Sequence, residues 1–355
     1  MGITSWRGPE ITVVIGTLGN YGGLKRVLDE FERQTIARDR LELVVVADAA
    51  EPDMDAVRAA VGERPYELRL LRGRRPGLSA NRNRALDDSL AGIVLFCDND
   101  TLPAPRFLAE HLAWHARYPS PEIAVLGHVR WAREVTVTPF MRWLDHGIQF
   151  DYPNIQGIEA GWGRFYGANV SLKTSFARSV GGFDEERLPY LYDDLDFGYR
   201  ASKLGMRLLY NRDALAEHLR EIDLDYFRQR MNRAARAERA FVRKHPEIPP
   251  YFFNLYSNAI KAPRARGRGA RLIGWLPRRT PFLGPRAWSS ADLWFRQQLA
   301  PAFLDAWDAD DDDASSGPVA PYLLERDAVP DGHPARAAES SVRAASDDQE
   351  AREGR

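Results

Sequence analysis

The chain has 355 residues, long enough to bury a large core in one or two domains, and its 44% apolar and 28% charged composition reads as globular. A single cysteine, Cys97, rules out an internal disulfide and points to a reducing compartment. No stretch reaches the roughly 18 uninterrupted apolar residues of a membrane span, and no signal segment opens the chain. The expectation is a soluble cytoplasmic protein, with a peripheral contact at the inner membrane face left open.

The net charge of −1 hides an asymmetry. From Asp305 to Arg355 there are 14 acids and 5 arginines, so the remaining residues are net basic by 8. A basic body suits an anionic small molecule, a phosphate-bearing acceptor or a lipid headgroup. The excess is too small to argue for nucleic acid.

In chain order, Ile11-Thr12-Val13-Val14-Ile15 reads as a first strand, and Tyr21 to Gln34 as a helix through Leu24, Val27, Leu28 and Phe31. Leu41 to Val46 is a second strand ending near Asp48, Asp55 to Val61 a short helix, and Tyr66 to Leu71 a weaker strand. Leu78 to Leu90 is a helix, followed by the apolar strand Ile93 to Cys97. Strands alternating with helices predict a parallel, doubly wound sheet over the first hundred residues. Arg106 to Tyr118 is helical and Ile123 to Val129 a further strand. Trp131 to Tyr166 is irregular and aromatic-rich, and strand character resumes from Gly167 to Leu172. Asp223 to Lys244 reads as a basic amphipathic helix. Asp308 to Arg355, rich in Asp, Ala, Ser and Pro, is expected to be disordered. Three units follow: 8–220, a helical and basic extension over 221–304, and an acidic tail over 305–355.

The most informative motif is Asp98-Asn99-Asp100, at the end of the strand Ile93 to Cys97. Ligands of open α/β sheets bind in the crevice at that carboxyl edge. Two hard carboxylates one residue apart suit Mg²⁺ or Mn²⁺ that keeps open positions for phosphate oxygens. A simple Asp/Asn turn is the competing reading. Cys97 beside it reads as a small apolar strand residue. Asp48 ends the second strand and falls on the same sheet edge, where it can accept from a ribose hydroxyl or a base N–H; a turn or helix-cap aspartate is the alternative. The segment Gly77 to Arg84 opens a helix with Ser79, Asn81, Arg82 and Arg84, groups that favour anions. Arg82 and Arg84 point to different faces, so at most one reaches the site. Asp193, Asp194 and Asp196 crowd a helix start. Dipole stabilisation alone accounts for acids there, but carboxylates beside one another raise a pKa and suit a general base. His218 is a candidate third metal ligand, against a packed or surface role.

Together these segments resemble the family 2 glycosyltransferases, nucleotide-sugar enzymes of GT-A fold. Val13 to Thr17 resembles the opening strand and threonine turn, and Glu42 to Asp48 the strand with the base-binding aspartate. Gly77 to Asn83 is similar to the donor segment, and Asp98-Asn99-Asp100 occupies the D-x-D position. Gly167 to Ser171 and Val180 to Glu185 resemble the acceptor-side segment, and Asp193-Asp194 stands where the family has Glu-Asp. His218 falls where some members carry a metal-binding histidine. The resemblance implies a GT-A-type, mostly parallel sheet flanked by helices. It implies donor contacts at Thr17, Asp48, Asn81, Arg82 and Asp98, and a divalent metal on Asp98, Asp100 and His218. Asp194, with Asp193 beside it, would be catalytic, giving inversion in a single displacement from a nucleotide-sugar donor, UDP- or dTDP-linked by preference. The acceptor would be a carbohydrate, a lipid-linked molecule or a small molecule. The aromatics of Trp131 to Tyr166 suit sugar rings or equally a core, most of them core, with Trp143 and Trp162 the best acceptor contacts and Asn169 a further one.

Departures from the family pattern are Gly16 for the usual proline, Ala49-Ala50 for a polar turn, and Asp193 for glutamate. The Gln-Arg-Trp signature of polymerising members is missing, which favours single addition. Competing readings are a non-catalytic nucleotide-sugar-binding scaffold and a sugar nucleotidyltransferase; a dinucleotide-dependent oxidoreductase is a third, though Gly16 to Gly23 is spaced G-x-x-G-x-x-G. Lys261 to Arg286 carries eight cations and no acid. It can touch anionic lipid, fold against the acidic tail or stand solvated.

Overall fold

The computed structural model describes residues 8–309. Eight strands form one sheet: β1 Ile11–Thr17, β2 Leu41–Ala47, β3 Glu67–Arg72, β4 Ile93–Asp98, β5 Thr101–Pro103, β6 Ile123–Trp131, β7 Asn169–Lys173 and β8 Arg207–His218. The helices are α1 Tyr21–Phe31, α2 Met54–Val61, α3 Leu78–Asp88, α4 Phe107–Arg117, α5 Pro139–Leu144, α6 Thr174–Ser179, α7 Asp193–Lys203, α8 Leu224–Lys244, α9 Tyr251–Lys261, α10 Arg268–Leu272 and α11 Leu283–Asp308.

The sheet order is β3-β2-β1-β4-β7-β6-β8-β5. The first four neighbours pair in parallel. Strand β7 runs antiparallel between β4 and β6, and β6 and β8 are again parallel. The fold is a mixed α/β sheet, mostly parallel and flanked by helices. The apolar runs of β1, β2 and β4 are buried on both faces, as helices covering a parallel sheet require.

Two local features place the site. Gly16 lies within β1, where an added Cβ would stand 2.7 Å from Leu78 Cδ1, so its lack of a side chain lets α3 pack against the strand. The glycines at 22 and 23 are helical, in α1, so the glycine-rich stretch is a strand, a turn and a helix start. After β4 the chain crosses Asn99 and Asp100 and enters β5, which pairs with β8 at the far side of the sheet. That crossing carries the acidic motif from the middle of the sheet to the end of β8.

C-terminal to β8, α8, α9 and α11 pack together. Phe140, Trp143, Phe227 and Phe295 interlock at ring-centroid separations of 5.1–5.7 Å where α5 meets α8 and α11. Each fully buried aromatic there contributes roughly 1.5–3 kcal/mol. Helix α11 runs to Asp308, so residues 305–308 of the expected tail are helical; residues 310–355 lie outside the described residues. No described helix is long and apolar enough to cross a membrane.

Candidate active site

The strand ends at Thr17, Asp48 and Asp98 share one edge. Thr17 is buried; its hydroxyl donates to Gly19 O at 3.2 Å and accepts from Asn99 Nδ2 at 3.0 Å. Asn20, in the left-handed region at φ 48°, caps α1 by accepting from Gly23 N–H. Its Nδ2 reaches Asn99 O at 3.4 Å. The first loop therefore holds the middle residue of the Asp98-Asn99-Asp100 motif. Asp48 is buried and follows β2. Its Oδ1 accepts from Ala50 N–H at 2.8 Å, and its Oδ2 accepts from Gly77 N–H at 2.9 Å and Asn81 Nδ2 at 3.1 Å. A carboxylate offers about four acceptor positions, so one remains. Glu51 was not singled out from the sequence, yet it is buried and accepts from Gly19 N–H at 2.7 Å and the Tyr21 hydroxyl at 2.6 Å. An acid following Ala49-Ala50 was the available signal.

Helix α3 carries the link between the two halves. Arg82 is buried; its Nη1 lies 2.5 Å from Asp193 Oδ2 and its Nη2 3.6 Å from Asp98 Oδ1. The guanidinium also sits 5.3 Å from the Phe183 ring centroid. An added Cβ at Gly167 would fall 2.1 Å from Arg82 Nη2, so the close approach depends on glycine. Arg84 turns away and pairs with Asp88.

Asp193 is committed to Arg82. Asp194, one position on, is partly exposed and accepts from backbone N–H groups of Leu195 and Gly167. Burial, and then the neighbouring Asp193, push its pKa up to about 7 against the pull of Arg82. The third acid, Asp196, is structural: it binds Arg200, His245 and Lys244, each at 2.8 Å. Tyr192, just before the pair, has φ 62°. A left-handed non-glycine residue is strained. Its hydroxyl is held at 2.7 Å by Glu238 of α8, which also accepts from Phe252 and Phe253 N–H at the start of α9.

Burial raises the Asp98 pKa; Arg82 opposes the shift and Asp100 adds to it. Pairing of Thr101 with His218 brings Asp100 to the end of β8, where Leu219 N–H donates to Asp100 O at 2.8 Å. His218 Nε2 stands 3.7 Å from Asp100 Oδ1, and Arg220 Nε 3.2 Å from Oδ2. Burial would raise the Asp100 pKa, but His218 and Arg220 outweigh it and hold it below the usual carboxylate value. The Trp131 ring stands edge-on to His218 at 5.5 Å, and its indole N–H donates to Asp145 at 2.9 Å. Burial pushes Asp145 up to about 7. Cys97, behind Asp98, is buried and its thiol pKa is raised well above the ordinary value, which keeps it inert.

Among the described residues, no three His, Cys, Asp or Glu side chains are gathered into a ready-made ion cage. The donor set nonetheless fits a divalent ion chemically. Asp98 and Asp100 offer hard oxygens, and His218 has a buried Nδ1 with no partner. Arg220 and His218 occupy Asp100 in this state, so an ion there must share or displace Arg220.

The acceptor expectations need correction at two residues. Trp143 is 2% exposed, and its indole N–H donates to Asp292 of α11 at 3.0 Å. It is a core residue between α5 and α11, with no open face for a sugar. Asn169 is fully buried: it meets His111 Nε2 at 2.9 Å and donates to Ala214 O at 2.9 Å and His128 O at 3.3 Å. Its amide is consumed in holding β7 to α4 and to the β6–β8 irregularity. Trp162, in the 3-10 turn Trp162–Arg164, is partly exposed and lies 5.0 Å from the Tyr199 ring. It adjoins the helix that carries Asp194.

A sheet with this order, acids on its carboxyl edge and an acidic helix start facing them define the GT-A class of glycosyltransferase fold. The family model described as glycosyltransferase like family 2 matches residues 9–237. The chain belongs to that family. Validoxylamine A glucosyltransferase of Streptomyces hygroscopicus subsp. jinggangensis is 27% identical over 291 residues, covering 70% of this chain and 64% of that protein. The protein of the same name from Streptomyces hygroscopicus subsp. limoneus is 27% identical over 291 residues, covering 70% of this chain and 60% of its own. The chain thus spans less than two thirds of the length of these curated relatives. A mannosyltransferase from Pyrobaculum calidifontis, solved in complex with GDP-Man and Mn²⁺, matches with a TM-score of 0.50 at 22% identity, over 90% of this chain and 79% of that one. That likeness supports the fold alone.

Proposed function

We propose that this chain transfers a sugar from a nucleoside-diphosphate sugar, UDP- or dTDP-linked by preference, to an acceptor hydroxyl with inversion, one sugar per encounter. The observation that carries the reading is the arrangement around Arg82. It ties Asp98 of the acidic motif to Asp193, and so sets Asp194, with a pKa of about 7, beside the same acids. A carboxyl with that pKa is half ionised near neutrality, which suits a general base. In this reading Asp194 takes the proton of the acceptor hydroxyl as its oxygen forms the bond to the anomeric carbon. The bond from that carbon to the diphosphate breaks, and the nucleoside diphosphate leaves from the opposite face. Attack and departure on opposite faces give inversion, as in inverting glycosidases.

Thr17, Asp48 and Asn81 form the nucleoside side, with Asp48 keeping one acceptor position for a base N–H. Arg82 acts by fixing Asp98 and Asp193. Asp98, Asp100 and His218 would hold Mn²⁺ or Mg²⁺, which when bound neutralises charge on the diphosphate. The acceptor is a carbohydrate, a small molecule or a lipid-linked molecule, with Trp162 offering a ring face. The names of the Streptomyces relatives, both glucosyltransferases, support a hexose as the transferred group.

A thermal-shift panel of nucleotide sugars with Mn²⁺, followed by a single-turnover assay on the best binder, tests this. One sugar nucleotide should stabilise the fold by mass action and then release nucleoside diphosphate. Binding without release would leave a scaffold and overturn the reading.

A further inference from the structure

We propose that the face built by residues 261–286 docks this chain on an anionic membrane surface. The proposal stands independently of the chemistry assigned to the sheet edge.

This stretch is a strap along α11. Gln297 accepts from Ala265 N–H at 2.8 Å and donates to Ala259 O at 3.0 Å. An added Cβ at Gly267 would stand 3.1 Å from the Trp294 indole nitrogen, and one at Gly269 would stand 2.7 Å from Ser290 Cβ. Ala270, Ile273 and Leu276 are buried inward, and Trp288 N–H donates to Leu276 O at 3.3 Å. The strap is therefore a built surface with a defined outside.

The outside carries two kinds of group. Lys261, Arg264, Arg266, Arg268, Arg271, Arg278, Arg279 and Arg286 are all exposed, and among the described residues none is in an ion pair. Between them stand large apolar side chains: Trp275 is 71% exposed, Phe282 82% and Leu283 64%. Scattered exposed apolar residues need no explanation, but an exposed tryptophan and phenylalanine within one acid-free strap do. Phe282 is also left-handed, at φ 60°. Its ring is not buried, so packing within the chain does not offset that strain. At one end, Ile260 and Arg264 border a cleft of about 340 Å³ with Trp294 and Gln297, which adds a recess to the rim.

An anionic bilayer answers both features. Guanidinium groups meet headgroup phosphates, while Trp275, Phe282 and Leu283 enter the boundary between headgroups and acyl chains. The acidic residues 310–355 match the charge, but Tyr322 is their single aromatic against the exposed Trp275 and Phe282.

The test is vesicle flotation of the full chain. Vesicles of phosphatidylcholine with about 30% phosphatidylglycerol should carry it at about 0.05 M salt, and should release it near 0.5 M, where screening is short-ranged. Phosphatidylcholine alone should carry none. Replacing Arg278→Gln and Arg279→Gln together should lower the partition about thirtyfold. Trp275→Ser with Phe282→Ser should lower it about tenfold or more. All four positions are exposed, so an unchanged melting temperature is expected for both pairs. No flotation at low salt, including through cover by the acidic segment, overturns the proposal. Equal binding to neutral vesicles, or binding indifferent to both pairs, also overturns it.

Discussion

The two sides of the sheet edge are built on different physics. On the side proposed for the donor, Thr17 and Asp98 end strands and Asp48 directly follows one, so sequence position alone places them. Backbone amides and short polar side chains of adjacent loops then fix them, as with Gly77 and Asn81 on Asp48. On the side proposed for the acceptor, the segment from Trp131 to Tyr166 has only the short helix α5 and two 3-10 turns after β6, and distant helices hold it. Trp143 is fixed by Asp292, and Tyr192 by Glu238. Local rules govern the first side and tertiary packing the second.

The largest effect expected on the donor side is from Asp100→Ala. It should lower transfer by about a thousandfold or more, since in the proposed reading metal and diphosphate both depend on that carboxylate. Nucleoside diphosphate release checks it; near-normal release would detach Asp100 from the chemistry. Arg82→Met leaves Asp193 buried without its partner and should cost about 3–5 kcal/mol in urea unfolding. A loss below about 1 kcal/mol would mean that the bridge does not join the two sides.

The acceptor side divides more sharply. Trp143→Ala should cost about 3–5 kcal/mol of stability as a core truncation, with KM for acceptor unchanged in the surviving folded protein. Trp162→Ala should cost about 1 kcal/mol in stability but raise acceptor KM about tenfold, the scale of one stacking face. If the two exchanged behaviours, the division between core and acceptor surface would be reversed.

Legibility in the sequence follows the same division. The strands of the first hundred residues, and the placing of Asp48 and Asp98 at the same end of the parallel strands β2 and β4, could be read from apolar runs ending in acids. The helix read as Leu78 to Leu90 forms over Leu78–Asp88, and of its two arginines only Arg82 turns inward. What could not be read was which polar atoms were already spent. Asn169 sits in a stretch that resembles an acceptor segment, yet its amide serves β7 and α4. Nothing in a one-dimensional pattern reveals that His111, sixty residues earlier in α4, claims Ser171 as well. Arg220 on Asp100 was equally hidden, because it depends on the crossing that carries Asn99 and Asp100 from β4 to β5 beside β8.

A smaller effect concerns pH. Asp194 has a folded pKa of about 7, above its ordinary value of 3.8. Its contribution to stability is fully present below about pH 4 and is lost as pH rises through 7. Asp194→Asn removes that loss, so the variant should gain up to about 4 kcal/mol over the native chain between pH 4 and pH 8. Urea midpoints at the two pH values read it directly. An unchanged difference would mean that Asp194 is not held as a desolvated acid.

The most direct measurement of the central claim, that Asp194 is the base at the edge defined by Asp98 and Asp100, is the pH dependence of single-turnover transfer for the native chain and Asp194→Asn. The native rate should rise with pH to a plateau, with a midpoint near 7. The variant should bind donor with unchanged affinity, lose about a hundredfold or more in rate and show no such midpoint. A variant that keeps both the rate and the native profile would contradict the account.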